Sequence, residues 1–346
     1  MNKYYNNKGI EYQFNKKKNF DNGAEGKIYL TSNGRKVVKI FNNRNNSKIN
    51  KIKAMIELRN SLNYQGKVLL DKLIAWPLCL VFDSKKRAVG YEMDYVKGMP
   101  LNSFMSKLVL SRHEDYSYYK NVVVANNIAN TIAKIHQLLP EVVIGDMSKM
   151  NFVVLKNHTI KLIDSDSVQL TYKNKFYKCD MYTSGYISPE RAKDKKVRLT
   201  QQSDDFILAI LLFELLVNNQ HPFAIYSSYG GNISRDNAIM QGKTCYFGKN
   251  KGFIPCGIIK PNQILSRNLY IDFYNTFSKG INSFEFRTSS EDFRNDIYEF
   301  INDLEVCKDN KEHYHLKHEK CPFCNHNIRN LYKDGGLSLF EMMIYR

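Results

Sequence analysis

The stretch IGDMSKMNFVVLKNHTIKLIDSDS, Ile144 to Ser167, carries three carboxylates and, ahead of its apolar runs, Asn151, in a chain crowded with lysine. Asp146 and Asn151 lie five residues apart, and Asp164 follows thirteen beyond Asn151. Between them run two apolar segments, VV and KLI, which can pair as a hairpin turned at Lys156-Asn157-His158 and bring the flanking acceptors together. One carboxylate could orient a hydroxyl for attack, while the amide and a second carboxylate could hold Mg²⁺ on phosphate oxygens. These are the parts for magnesium-assisted phosphoryl transfer. Upstream, DNGAEGKIYL sets Gly23 and Gly26 in a strand-turn-strand, where a missing Cβ lets backbone amides approach a phosphate. The same glycines also suit an ordinary hairpin. In VVKIF, Lys39 faces away from Val38 and Ile40 and could hold phosphate oxygens from a strand, provided a carboxylate orients it. Glu57, eighteen residues on, could be that partner, although singly both residues read as solvated surface charges.

The elements that must position these groups follow from periodicity. Residues 10–41 read as β-rich, with IYL and RKVVKIF flanking an Asn33-Gly34 signal for a two-residue hairpin turn. A charged helix is expected over Ser47 to Asn60, with Ile52, Met55, Ile56 and Arg59 near one face, followed by short strands around LIAWPLCLVF and AVGYEMDYV. Lys97-Gly98-Met99-Pro100 breaks the β-pattern. Beyond it the spacing of Ile128, Ile132 and Ile135 predicts a buried helix leading into the opening stretch. DDFILAILLFELLV, apolar nearly all round, predicts the central helix of a second lobe, and two more helices are expected near LSRNLYIDFYNTFSKGI and SEDFRNDIYEFINDL.

At 346 residues the chain is long enough for two or three domains or lobes, and 43% hydrophobic content marks it as globular. The net charge of +17 would suit a phosphate-rich partner. However, Asn, Lys, Ile and Tyr abound throughout, which points to biased composition, and nucleic acid is not specifically indicated. The longest apolar run, from Phe206, is interrupted by Glu214 and is too short to span a bilayer. The start is polar and has no apolar core of a signal peptide. A soluble, cytoplasmic protein is expected, and seven cysteines, an odd number, suit a reducing compartment.

Taken in order, these segments resemble a eukaryotic-type (Hanks-type) Ser/Thr protein kinase domain from about Tyr12 to Leu304. GAEGKIY resembles the glycine-rich loop, VVKIF the strand with the phosphate-binding lysine, IGDMSKMN the catalytic loop HRDLKPEN, and LIDSD the metal-binding DFG. YTSGYISPE resembles the region ending in APE, SDDFILA the helix motif DxWSxG, and Arg287 stands where the family has an arginine paired with that Glu. The resemblance implies an α+β, bilobal fold, with an N-lobe over 12–96 and a helical C-lobe over 97–304. It makes Asp146 the hydroxyl-orienting base and Asn151 and Asp164 the Mg²⁺ ligands, and gives Asp166 neither role. Gly23, Gly26, Ile28, Lys39, Glu57, Met93, Asp94 and Val96 would surround ATP, with Met93 guarding the adenine pocket and the backbone of Asp94 to Val96 as hinge. Thr183 would touch the catalytic Asp, Asp204 would brace the catalytic loop, and Glu190 and Arg287 would form a structural ion pair.

The departures are specific. Asp21 replaces the first glycine of the loop, and Ile144-Gly145 replace His-Arg before Asp146, which removes the usual partner of a phosphorylated activation loop. Ser148 stands in the catalytic position of the lysine that steadies the transferred phosphoryl group, with Lys149 beside it. Ser165 replaces the aromatic plug of DFG. A bacterial branch reading IGDxxxxNxLV and IDxDSxQ shares this style, and an active enzyme is expected. The alternatives are a pseudokinase scaffold that binds nucleotide weakly, and a kinase-fold enzyme acting on a small molecule.

The region 305–346 is Cys- and His-rich and reads as a separate appendage. A C-x-x-C turn, Cys321 and Cys324, supplies two zinc ligands from one loop and needs two more from upstream. Cys307 is the upstream cysteine on offer, and His313, His315, His318 and His326 compete for the imidazole position. The bacterial branch carries C…HY…CPxC, a resemblance that selects His313 and implies a structural Zn²⁺ ribbon. A redox dithiol and a plain polar tail are the other readings.

Overall fold

A computed structural model describes the chain except residues 1–2, 23–25, 44, 111–116, 228–232, 245, 248–252, 256–259 and 326–346. Gly23 and His326 therefore lie outside the described residues.

Six strands, β1 (Tyr4–Tyr5), β2 (Phe14–Asn22), β3 (Gly26–Thr31), β4 (Lys36–Phe41), β5 (Cys79–Asp83) and β6 (Ala88–Asp94), form one antiparallel sheet in the order β1-β5-β6-β4-β3-β2. Alternation along β4 sorts its side chains. Val38 and Ile40 pack with Val81 on one face, whereas Val37 and Phe41 enter the main core on the other. Lys39 shares the parity of Val37 and Phe41 and is carried to the inner face. The β3–β4 connection is longer than the two-residue turn that Asn33-Gly34 suggests. Thr31 Oγ1 bonds both the Lys36 carbonyl and the Lys36 amide, and Asn33 Oδ1 accepts from Arg35 N, so side chains close the loop in place of ladder bonds.

Helix α1 (Asn46–Ser61) is capped by Asn45, whose side chain accepts from Ser47 N, and it buries Ile52, Met55 and Leu58. A second helix, α2 (Tyr64–Leu73), which the sequence pattern does not predict, comes before the strand expected around LIAWPLCLVF, and that strand is β5 over Cys79–Asp83. Asn63 caps α2, and Gly66, Leu70 and Leu73 are buried at helical spacing. Trp76 is buried after the helix and donates to the Met55 carbonyl at 2.8 Å.

The helical lobe begins with β7 (Met99–Pro100), α3 (Leu101–Leu110) and α4 (Tyr118–Leu138). Short strands follow: β8 (Val142–Val143), β9 (Phe152–Val154), β10 (Ile160–Leu162), β11 (Gln169–Tyr172) and β12 (Lys175–Tyr177). They make two three-stranded sheets, β10-β9-β7 and β12-β11-β8, and the β9–β10 hairpin turns at Lys156–His158 as expected. Next come α5 (Pro189–Lys193) and α6 (Gln201–Leu216), the latter buried along nearly its whole length. A helix apolar all round belongs at the centre of a core, and α6 packs against α4 there. Around it lie β13 (Ile225–Ser227), α7 (Arg235–Met240), β14 (Phe253–Pro255), α8 (Pro261–Ile264), α9 (Arg267–Tyr274) and α10 (Ser290–Asn302). A hairpin, β15 (Leu304–Val306) and β16 (Tyr314–Leu316), and the short α11 (Pro322–Asn325) form a small appendage. The fold is α+β, with a β-rich lobe, a helical lobe and this Cys/His-bearing addition. No described helix is long and apolar enough to cross a membrane.

Candidate active site

The β9–β10 hairpin brings the ends of the opening stretch together. Ile163 N donates to the Asn151 carbonyl at 2.8 Å, so the residue before Asp164 is tied directly to the end of the preceding loop. Asn151 Nδ2 donates to the Asp146 carbonyl at 2.9 Å, which fixes Asn151 against the residue five before it. The Asp146 carboxylate is buried and accepts from Thr183 Oγ1 at 2.9 Å. Burial pushes the Asp146 carboxyl above its ordinary range, and the Thr183 hydrogen bond works against that shift.

Beneath this loop the buried Asp204 carboxylate accepts from Ile144 N at 2.7 Å and Gly145 N at 2.8 Å, with His136 Nε2 at 3.0 Å. Gly145 has φ +72°, and a Cβ there would lie 2.8 Å from Cys179 Sγ, so glycine is required on two counts. Ser148 is buried, with its hydroxyl on Asn151 Oδ1 at 3.3 Å. Lys149, its neighbour, extends toward buried Glu214 at 3.7 Å. Neither lysine-like position therefore supplies an ammonium beside Asp146 among the described residues.

Lys39 lies opposite Tyr91 in the β4–β6 ladder and is buried. Its Nζ donates to Asp164 Oδ1 at 2.6 Å and to Asp166 Oδ1 at 2.8 Å. Burial alone would lower the Lys39 ammonium, but Asp166 and then Asp164 outweigh it and hold it above its ordinary value. Asp164 is pushed up to about 6, chiefly by the protein packed around its half-open carboxyl, against the pull of Lys39. Its backbone is left-handed at φ +63°, and the turn behind it is pinned by Ser165 Oγ on the Ala75 carbonyl at 2.6 Å. Oxygen donors are what Mg²⁺ prefers, and the Asn151 amide oxygen and Asp164 carboxylate offer them on adjoining segments.

The expected Lys39–Glu57 pair is not formed. Glu57 lies on the exposed side of α1 and pairs with Lys173 at 2.8 Å. The buried face of α1 carries Lys51, Ile52, Ala54, Met55 and Leu58, so the only acid in that helix points away. Around the sheet, a Cβ on Gly26 would lie 2.5 Å from the Ile40 carbonyl, which makes this glycine a requirement of close strand approach. Ile28 is half-buried against the core, Met93 is buried, Asp94 pairs with Lys36 at 2.7 Å, and Val96 packs against the core beyond it. Glu190 and Arg287 form a two-pronged pair, at 2.8 and 3.2 Å.

Several contributing residues carry no mark in sequence. Tyr91 Oη donates to Asp166 Oδ1 at 2.8 Å. Arg191, directly after Glu190, is buried and donates to the Cys179 carbonyl at 2.8 Å, to Cys179 Sγ at 3.1 Å and to the Gly145 carbonyl at 3.4 Å. It thus stitches the segment before Thr183 to the loop of Asp146. Gln169, marked only by the IDxDSxQ pattern, exchanges two hydrogen bonds with Leu199, at 2.8 and 2.9 Å.

In the appendage, one ligand atom each from Cys307, His313, Cys321 and Cys324 gathers within 4.8 Å. His313 Nδ1 lies 3.4 Å from Cys324 Sγ and 3.7 Å from Cys321 Sγ, whereas His315 turns to the Leu316 carbonyl. Three sulfurs and one imidazole nitrogen are a donor set suited to zinc.

A sequence model of the protein kinase domain matches residues 14–250. Similar proteins include the protein kinase YegI of Escherichia coli O157:H7 and that of Escherichia coli K12. Each is 24% identical over 264 residues, which is 72% of this chain and 40% of the relative. The chain therefore spans well under half the length of these relatives.

Proposed function

This chain belongs to the protein kinase family, and from that premise we propose that it transfers the γ-phosphoryl group of ATP to serine or threonine hydroxyls of proteins, itself included. The observation that supports the reading is the run of hydrogen bonds that joins Thr183 to Asp146, Asn151 to Asp146, Ile163 to Asn151 and Lys39 to Asp164. Asp146 orients the attacking hydroxyl and accepts its proton, and Thr183, bonded to that carboxylate, is the feature that favours Ser/Thr hydroxyls. Lys39 binds the nucleotide phosphates. Asn151 and Asp164 would hold Mg²⁺, which when bound neutralises charge on the phosphate oxygens. Gly26 and Ile28 would cover the nucleotide from above, with Met93 behind the adenine and Asp94 to Val96 as hinge. Ser148 contributes by fixing Asn151 rather than by charge. The setting is a reducing, cytoplasmic one, and Cys307, His313, Cys321 and Cys324 hold a structural Zn²⁺.

The test is labelling with Mg²⁺ and γ-³²P-ATP. The full chain should label itself or a generic protein substrate, and Asp146→Asn should lose ~10²–10⁴ in rate, the usual worth of a general base. Equal labelling by wild type and Asp164→Asn would reject the reading. Ser148 at the usual lysine position, with Lys149 directed to Glu214, favours a second reading, a nucleotide-binding scaffold without turnover. That reading is separated by thermal shift: only a metal-competent site gains extra stabilisation from ATP when Mg²⁺ is added.

A further inference from the structure

A buried ammonium needs a counter-charge fixed by something other than itself, because taking an unpaired ion out of water is costly. Lys39 is only 4% exposed, and among its described partners are two carboxylates. They are not equivalent. The Asp164 side chain is 44% exposed and stands as the candidate metal ligand, so its charge has a second claimant. The Asp166 side chain is 4% exposed, and the same Oδ1 that takes Lys39 also takes Tyr91 Oη, both at 2.8 Å. Tyr91 is the residue directly opposite Lys39 on β6, so the strand pair that aims the lysine also aims the donor that holds its partner. The turn bearing Asp166 is locked independently, by Ser165 Oγ on the Ala75 carbonyl and by Ser167 Oγ on the Asp164 carbonyl at 3.1 Å.

We propose that Asp166 is the positioning residue for Lys39, in place of a carboxylate on α1, so that the phosphate-binding ammonium is held by the Asp164–Ser167 turn and β6. This rests on the kinase reading of Lys39. Its consequence is that no carboxylate of α1 is needed to aim the lysine: the one acid of that helix, Glu57, pairs with Lys173 at the surface. Alignment of the lysine then does not depend on an ion pair to that helix.

The experiment is a double-mutant cycle on the full chain, reading Mg-ATP affinity by calorimetry and KM by labelling. Asp166→Asn should weaken Mg-ATP about tenfold or more, as loss of a charged hydrogen bond does. The same change in a Lys39→Met background should add less than about twofold, since the partner is already gone. Glu57→Gln should fall within about twofold of wild type. An Asp166→Asn effect of equal size in both backgrounds, or a Glu57→Gln loss matching it, overturns the proposal. A readout free of nucleotide keeps the two readings apart. In ¹⁵N-lysine-labelled wild-type protein, Lys39 Nζ should couple across its hydrogen bond to the Asp166 carboxyl carbon. Coupling to Glu57, or none to Asp166, overturns the proposal even where Asp166→Asn fails to fold. Intact coupling without any ATP turnover would instead count against the kinase reading.

Discussion

Thr183 Oγ1 spends its proton on the Asp146 carboxylate, leaving that carboxylate aimed rather than free to rotate. Thr183→Ala should therefore lower kcat about tenfold or more while leaving KM for ATP nearly unchanged, and Thr183→Ser should restore most of it. Steady-state labelling at varied ATP separates the two constants. The Asp146–Thr183 and Asp146–Asn151 relations were legible because they depend on short spacings and on ordered motifs. The partner of Lys39 was not. Glu57 sits at a plausible distance along the chain, but which face of α1 is buried is decided by Ile52, Met55 and Leu58, and these turn Glu57 to solvent. Arg191 was equally hidden, since nothing local distinguishes a buried arginine bonded to carbonyls from a solvated one.

Among the elements, α4 and α6 are joined at the site by His136 and Asp204. Burial works against a charged His136, yet the Asp204 hydrogen bond and charge prevail and hold it above its ordinary value. A group raised on folding lends stability that is full below its unfolded value, near 6.5, and is lost as pH rises through the folded one. The urea-unfolding difference between wild type and His136→Gln should accordingly be larger at pH 6 than at pH 9. Arg287 ties α5 to the segment before α10 through Glu190, and its side chain is fully buried. Arg287→Ala leaves the Glu190 carboxylate unpaired and should cost about 3–5 kcal/mol by denaturant titration, with the fold retained. The long apolar helices were readable from sequence, while α2 was not. Its buried side is only Gly66, Leu70 and Leu73, and the apolar Ile74-Ala75-Trp76 that follow merge in composition with the strand beyond them, which hides the end of the helix.

For the whole molecule, the appendage is fastened to the helical lobe at the start of α4 and, through Lys317 Nζ on the Asn302 carbonyl at 2.6 Å, at the end of α10. Tyr118 packs on Phe323 at 5.1 Å and Tyr119 on Tyr314 at 5.2 Å between ring centroids, and Tyr118 Oη reaches the Leu216 carbonyl at the end of α6 at 2.9 Å. A metal clasp among Cys307, His313, Cys321 and Cys324 would thus brace the core through two tyrosines. Stripping zinc with a chelator should lower Tm by about 5 °C or more, and Cys321→Ser should do the same without chelator. A Tm unmoved by both would mean that the cluster carries no structural ion.

The hydrogen bond from Ser165 to the Ala75 carbonyl has a pharmacological consequence. Compounds that discriminate among kinases by lodging where an aromatic ring has swung away from its packed position need a ring that can leave. Here the position is filled by a buried hydroxyl tethered to main chain, so there is no ring whose departure would open a hydrophobic hole. Inhibitors of that class should spare this protein, whereas compounds that fill only the nucleotide cleft should not.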